Sequence, residues 1–347
     1  MTSEVQTARP GIGPGRVLAL ALAVLLNVAL VLGIGWLLTH RERVIDQFAV
    51  WNFSPSTQLS EYASRAAMSD EGRFLFYAST PRIAAGTAFD DACATHQEGV
   101  GILGCYLPGD RTIHLFDVTD PRLDGLEEVV AAHEMLHAAW DRMTAADHDT
   151  LGPLLEAEVA KRQDDTALAD TLAFYAASEP GERLNELHSI IGTEYSGLSP
   201  ALEAHFAQYF TDRGAVTALH ETSNAVFVQQ AKQVADLVAQ LDALAGGIDA
   251  DYAAYNSGYD QLGADVAAFN SRAQSAGFTS QTEFQQERGA LLARQAELDA
   301  LYESIAARKA QYTDLAAQLD ALNAVGEQLN KSINIAPRDS TGVDSGG

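Results

Sequence analysis

Basic residues are scarce in this chain: 22 Lys and Arg stand against 47 Asp and Glu, for a formal charge of -25. No basic run interleaved with aromatics occurs, so a polyanion would be repelled and nucleic acid is excluded as a partner. Cysteine is nearly absent. Cys93 and Cys105 are the only two, and with His96 between them they would offer a metal three ligands and no fourth. A lone pair so close in sequence reads as a disulfide formed outside the cytoplasm, with two buried thiols as the alternative. Charge is missing altogether from Val17 to Leu38, where Asn27 is the one strongly polar residue. That is about the 20 residues a helix needs to cross a bilayer. No small-x-small site follows; the run ends in Trp36 and then Thr-His-Arg-Glu-Arg. It therefore reads as an uncleaved single-pass anchor in the cell membrane, a processed signal being the alternative. Arg9 and Arg16 before the span are balanced by Arg41 and Arg43 after it, so charge leaves the orientation open. The cysteine pair places the C-terminal bulk on the extracytoplasmic side.

What the chain does have is organised in two styles. From 45 to about 222, short strand-like and helical segments alternate. "RFLFYAS" has the apolar content of a strand, and "GILGCYL" with "TIHLFDV" forms a hairpin over 101–118, turning at "PGDR". Asp124 with Glu127 suggests a capping box opening a helix that continues through Leu126, Val129, Val130, Leu136 and Trp140. Further helices are expected at 150–162 and 165–177, from Pro180 to Ile191 with Gly192 as the stop, and after Ser199-Pro200. From 223 the pattern is a strict seven-residue repeat: Phe227, Val234, Leu241, Ile248, Tyr255, Leu262 and Phe269. A second such run goes from Phe284 to Leu319, Ser280 and Glu283 restarting the helix. Two runs of equal length, about 65 Å each, predict an antiparallel helical hairpin. The residues from about 336 are rich in Gly, Ser and Asp and read as disordered. The expected architecture is α+β: an N-terminal segment and anchor (1–44), a mainly helical domain with a small antiparallel sheet (45–222), a coiled-coil hairpin (223–333) and a tail (334–347).

The helix beginning near Asp124 carries "AAHEMLHAA". His133 and His137 are one turn apart on one face, the spacing at which two imidazoles can share a divalent metal. Here the chain resembles the zincin metallopeptidases, whose His-Glu-x-x-His signature stands as His133-Glu134-Met135-Leu136-His137. The likeness covers roughly 70–212. It implies Zn²⁺ as cofactor, His133 and His137 as ligands, and Glu134 as the base taking a proton from zinc-bound water, which agrees with the acidity zinc gives its water.

A catalytic zinc needs a third protein ligand. The metzincin continuation is absent, since no Gly and His follow His137 at the required offsets, and the aspzincin pattern is only grazed by Gly192-Thr193-Glu194-Tyr195. The gluzincin likeness is better: Asn185-Glu186-Leu187-His188-Ser189 resembles the second helix of that group and makes Glu186 the third ligand, with Glu194 and Glu182 as alternatives. Ile190 stands where those enzymes carry a supporting Asp, so support for the histidines would have to come from Ser189, Glu182 or Asp141. His188 and Tyr195 are the candidate oxyanion stabilisers. "TIHLFDV" would serve as an edge strand for an extended substrate, with His114 facing either the cleft or the sheet. The resulting expectation is a membrane-anchored zinc peptidase acting on a peptide or protein substrate. Its rival is a catalytically silent platform whose helical hairpin binds a protein partner.

Overall fold

The computed structural model describes residues 14–93, 103–178 and 180–333. Arg9, His96, Gly101, Ile102 and the tail from 334 lie outside the described residues. The chain divides into two compact units, one of residues 1–117 and 127–220 and one of 118–126 and 221–347.

The first unit opens with α1 (Pro14–Thr39) and α2 (Arg41–Asn52). Within α1, Leu18–Leu37 is long and apolar enough to cross a membrane, with a mean hydropathy of 2.6 and none of it buried by protein. Next come α3 (Thr57–Arg65) and α4 (Asp70–Ala78). α4 contains the segment expected to be a strand. Aromatic content suggested β structure, but Ser69 caps a helix by accepting from Gly72 N at 3.1 Å, and Gly72, Leu75 and Phe76 bury one helical face.

The sheet contains β1 (Arg82–Ala84), β2 (Gly104–Leu107) and β3 (Thr112–Phe116) in the order β1-β3-β2, with α5 (Thr87–Ala92) between β1 and β2 in the chain. β2 and β3 form the expected antiparallel hairpin, Gly104 opposite Leu115 and Leu107 opposite Thr112. Its turn takes Arg111 to a φ of 57°. β1 adds parallel to β3, Arg82 opposite His114. The sheet is therefore mixed rather than antiparallel. β3 is its central strand, so "TIHLFDV" is not an edge strand; among the described residues β1 and β2 are the outer ones. Cys93 and Cys105 are joined, their Cα atoms 6.0 Å apart, tying α5 to β2.

A short 3-10 turn at Pro121–Leu123 and Gly125 at φ 96° precede α6 (Leu126–Asp141). The helix thus starts after Asp124 rather than at it, because the left-handed glycine breaks the run. It is followed by α7 (Ala145–Ala160), α8 (Thr166–Ser178), α9 (Arg183–Glu194) and α10 (Pro200–Phe206). α7 starts five residues earlier than expected, at a Thr144/Asp147 capping box. α9 begins after Pro180, since Gly181 at φ 110° still belongs to the turn. It also continues through Gly192. A Cβ there would lie 2.5 Å from Leu136 and 2.7 Å from Phe206, so this glycine lets α9 press against α6 and α10 rather than stopping the helix. Ala131, Ala132, Ala138 and Ala139 are buried along α6 for the same close packing, and Met135, Leu136, Leu187, Ile190, Leu202 and Phe206 fill the core around them.

α11 (Arg213–Gln274) starts in this unit and supplies the first helix of the second, which α12 (Gln281–Ser332) completes. The pairing is antiparallel: Asp251 meets Arg308 at 2.8 Å, Gly258 meets Leu298, Asp265 meets Arg294, and Arg272 meets Glu287 at 2.6 Å. Ser280 caps α12 as expected. The two helices are unequal, 62 and 52 residues, or about 93 and 78 Å long, because α11 extends upstream of the heptads. Leu241, Leu262 and Ile305, all heptad residues, are buried at the seam.

Candidate metal centre

α6 presents His133 and His137 on one face, ring centroids 4.7 Å apart. α9, held close by Gly192, brings Glu186 to them. Its carboxylate lies 3.6 Å from His137 Nε2 and 3.9 Å from His133 Nε2, and one ligand atom from each residue lies within 4.8 Å of the others. His133 Nε2 is buried with no hydrogen-bond partner, a position in which a polar atom is costly unless something else binds it. Burial, and then the charges of His137 and His220, hold the His133 imidazolium well below the ordinary histidine range. The ring is accordingly neutral, the form that ligates metals. These three residues could hold a metal ion.

The surroundings fix His137 in the required tautomer. Asn185 Nδ2 donates to Glu182 at 3.2 Å, so its Oδ1 is the atom facing His137 and accepts from Nδ1–H at 2.9 Å. Ser189 Oγ lies 3.3 Å from the same nitrogen. The Nε2 lone pair is thereby left for the side where Glu186 sits. Of the three supports expected, Ser189 touches His137 directly and Glu182 acts through Asn185. Asp141 instead accepts from Tyr106 Oη at 2.8 Å. Nothing in the sequence marks Asn185 as such a support although it adjoins Glu186; only the tertiary fold brings it to a histidine 48 residues away.

Glu134 is 1 % exposed, and its carboxylate lies against β2. A Cβ on Gly104 would come within 2.6 Å of Oε1, so the strand approaches this carboxylate only because residue 104 is glycine. β2 is thus the strand that lies against the base candidate, with Gly104, Cys105 and Tyr106 buried. His114 is on the central strand, opposite Cys105 and Arg82.

The other candidates are engaged with other partners. His188 is fully buried, with its Nε2 2.9 Å from His205 Nε2, and packs on Trp140 and Phe206. Burial keeps both rings neutral, His205 titrating at about 4. Tyr195 donates from its hydroxyl to Asp165 at 2.9 Å. Glu194, the alternative third ligand, pairs with His220 at 3.8 Å, and burial, then the Asp165 charge, push its carboxyl up to about 7. Comparison with protein-family models, with curated proteins and with solved structures finds no match to this chain.

Proposed function

We propose that this chain is a zinc-dependent peptidase held to a membrane by α1, with the bulk of the chain on the extracytoplasmic side. The observation that carries the reading is the convergence of His133, His137 and Glu186 from two helices onto one buried point. Two imidazoles and one carboxylate are the donor set of a catalytic zinc with a free coordination position. Zinc, when bound, supplies Lewis acidity and an acidic water. Glu134 would be the residue to accept the proton of such a water. It neighbours His133 in sequence and is buried with its carboxylate against Gly104. Asn185 and Glu182 hold His137 in the ligating tautomer. The extracytoplasmic placement is supported by the Cys93–Cys105 bond, and the membrane attachment by the apolar length of Leu18–Leu37.

The test is metal analysis of the purified full chain together with cleavage of unfolded casein. About one equivalent of zinc is expected, with chelator-sensitive cleavage reduced at least about 10³-fold in Glu134→Ala while zinc stays bound. Zinc without turnover on any peptide would favour the silent platform; no bound zinc would end both.

A further inference from the structure

Among the described residues, the candidate span runs directly into α2, which is tied to the helix bearing the histidines. His40 alone stands between α1 and α2, and the ladder crosses it: His40 N donates to Trp36 O at 3.0 Å and Val44 N to His40 O at 3.1 Å. α2 is then clamped to the domain by a buried ion-pair cluster. Asp46, 2 % exposed, accepts from Arg142 Nε at 2.8 Å and Nη2 at 2.9 Å, and Arg111 reaches it at 3.3 Å. Arg43 grips Glu71 on α4 through both its terminal nitrogens and lies 3.6 Å over the Phe74 ring. Arg142 directly follows α6 and is tied back to it through Ala138 O at 2.8 Å. Five residues before Arg142 is His137.

These connections bound the height of the metal centre above the bilayer. Trp36, an interfacial residue type at the end of the span, marks the boundary. From there Asp46 is ten helical residues on, about 15 Å, and His137 is about 8 Å from Arg142 along α6. Joined through one Arg–Asp pair, these segments hold the centre within about 30 Å of the membrane whatever the tilt of the helices. An extended chain covers that distance in about ten residues. A 30-residue flexible linker, by contrast, would let the domain range over about 100 Å at full extension.

We infer that the substrates are proteins anchored in the same membrane, cut in the stem within about 30 Å of the bilayer. This rests on the peptidase reading above. Co-anchoring raises the effective concentration of such stems, and the rigid clamp excludes bonds held farther out.

The experiment reconstitutes the full chain in phosphatidylcholine–phosphatidylglycerol vesicles with a single-span reporter. The reporter carries an unfolded casein segment either flush with the bilayer or raised by a rigid 40-residue helical spacer of about 60 Å. The flush segment should be cut at least tenfold faster than the raised one. A chain carrying 30 Gly/Ser residues between Thr39 and His40 should cut both at similar rates, its cleavage of soluble casein showing that it folds. Equal cleavage of the two reporters by the unmodified chain, or cleavage of soluble casein with neither reporter cut, overturns the inference and leaves the peptidase reading standing. Loss of casein cleavage as well would bring down the peptidase reading and the inference together.

Discussion

The helices of the first unit and those of the hairpin are built from similar residues but specified differently. In α6 and α9 alanine and glycine are buried, and their value is the close approach they permit; Gly192 has Leu136 and Phe206 against it. In α11 and α12 small residues are mostly spacers facing solvent, and a Cβ on Gly263 would meet nothing within 4 Å. The heptad requires only that apolar residues recur every seven positions, a local rule. The candidate metal centre requires three side chains from two helices to meet, and that depends on every contact setting the interhelical distance. A regular arm tolerates substitution, whereas a site at a helix crossing does not.

Four substitutions would break or sharpen this contrast. The largest effect is expected from Gly192→Val, where branched carbons would overlap Leu136 and Phe206: a loss of about 3 kcal/mol in denaturant unfolding of the first unit, with weakened metal binding. Asn185→Ala should leave folding nearly unchanged while lowering zinc affinity about 10- to 100-fold in a competition titration, since His137 loses its orienting acceptor. If affinity is unaltered, Ser189 alone suffices for orientation.

Glu194→Gln tests the pH behaviour of the same unit. The folded carboxyl titrates at about 7 against 4.5 in its ordinary state. Being raised, its contribution to stability is complete below about 4.5 and is lost as pH climbs through 7. The glutamine variant should therefore match the parent near pH 4.5 and exceed it by about 1 kcal/mol at pH 8, a figure discounted because the side chain is 28 % exposed. A thermal-melt series across this range reads the difference, and any metal binding should be unchanged from the parent. The smallest effect, of opposite sign to the first, belongs to Gly263→Ala in the arm. Removing backbone freedom from an uncrowded helical position should stabilise the hairpin by about 0.5–1 kcal/mol.

Local signals in the sequence were enough for the apolar span, the β2–β3 hairpin, the capped start of α12, the seven-residue repeat and the paired histidines of α6. Each is a matter of neighbours within one element: hydropathy, a turn residue, a cap, or the 3.6-residue period. Where local signals conflicted they misled. The aromatics of α4 suggested a strand although its cap and burial period are helical, and Gly192 looked like a stop although it is a packing surface. The parallel addition of β1 to β3 left no mark in the sequence, because strand order depends on how a chain returns through space.

The sequence by itself determined which residues could bear chemistry: His133 and His137 on one face, Glu134 beside them, and Glu186 within an Asn-Glu-x-x-Ser stretch. Tertiary structure alone decided that Glu186 rather than Glu194 faces the imidazoles, that Asn185 orients His137, and that Asp46 clamps α2 to Arg142. The physical reason is range. Helical period and capping act over four or five residues, whereas a carboxylate and an imidazole 49 positions apart meet only where close packing of two helices brings them together.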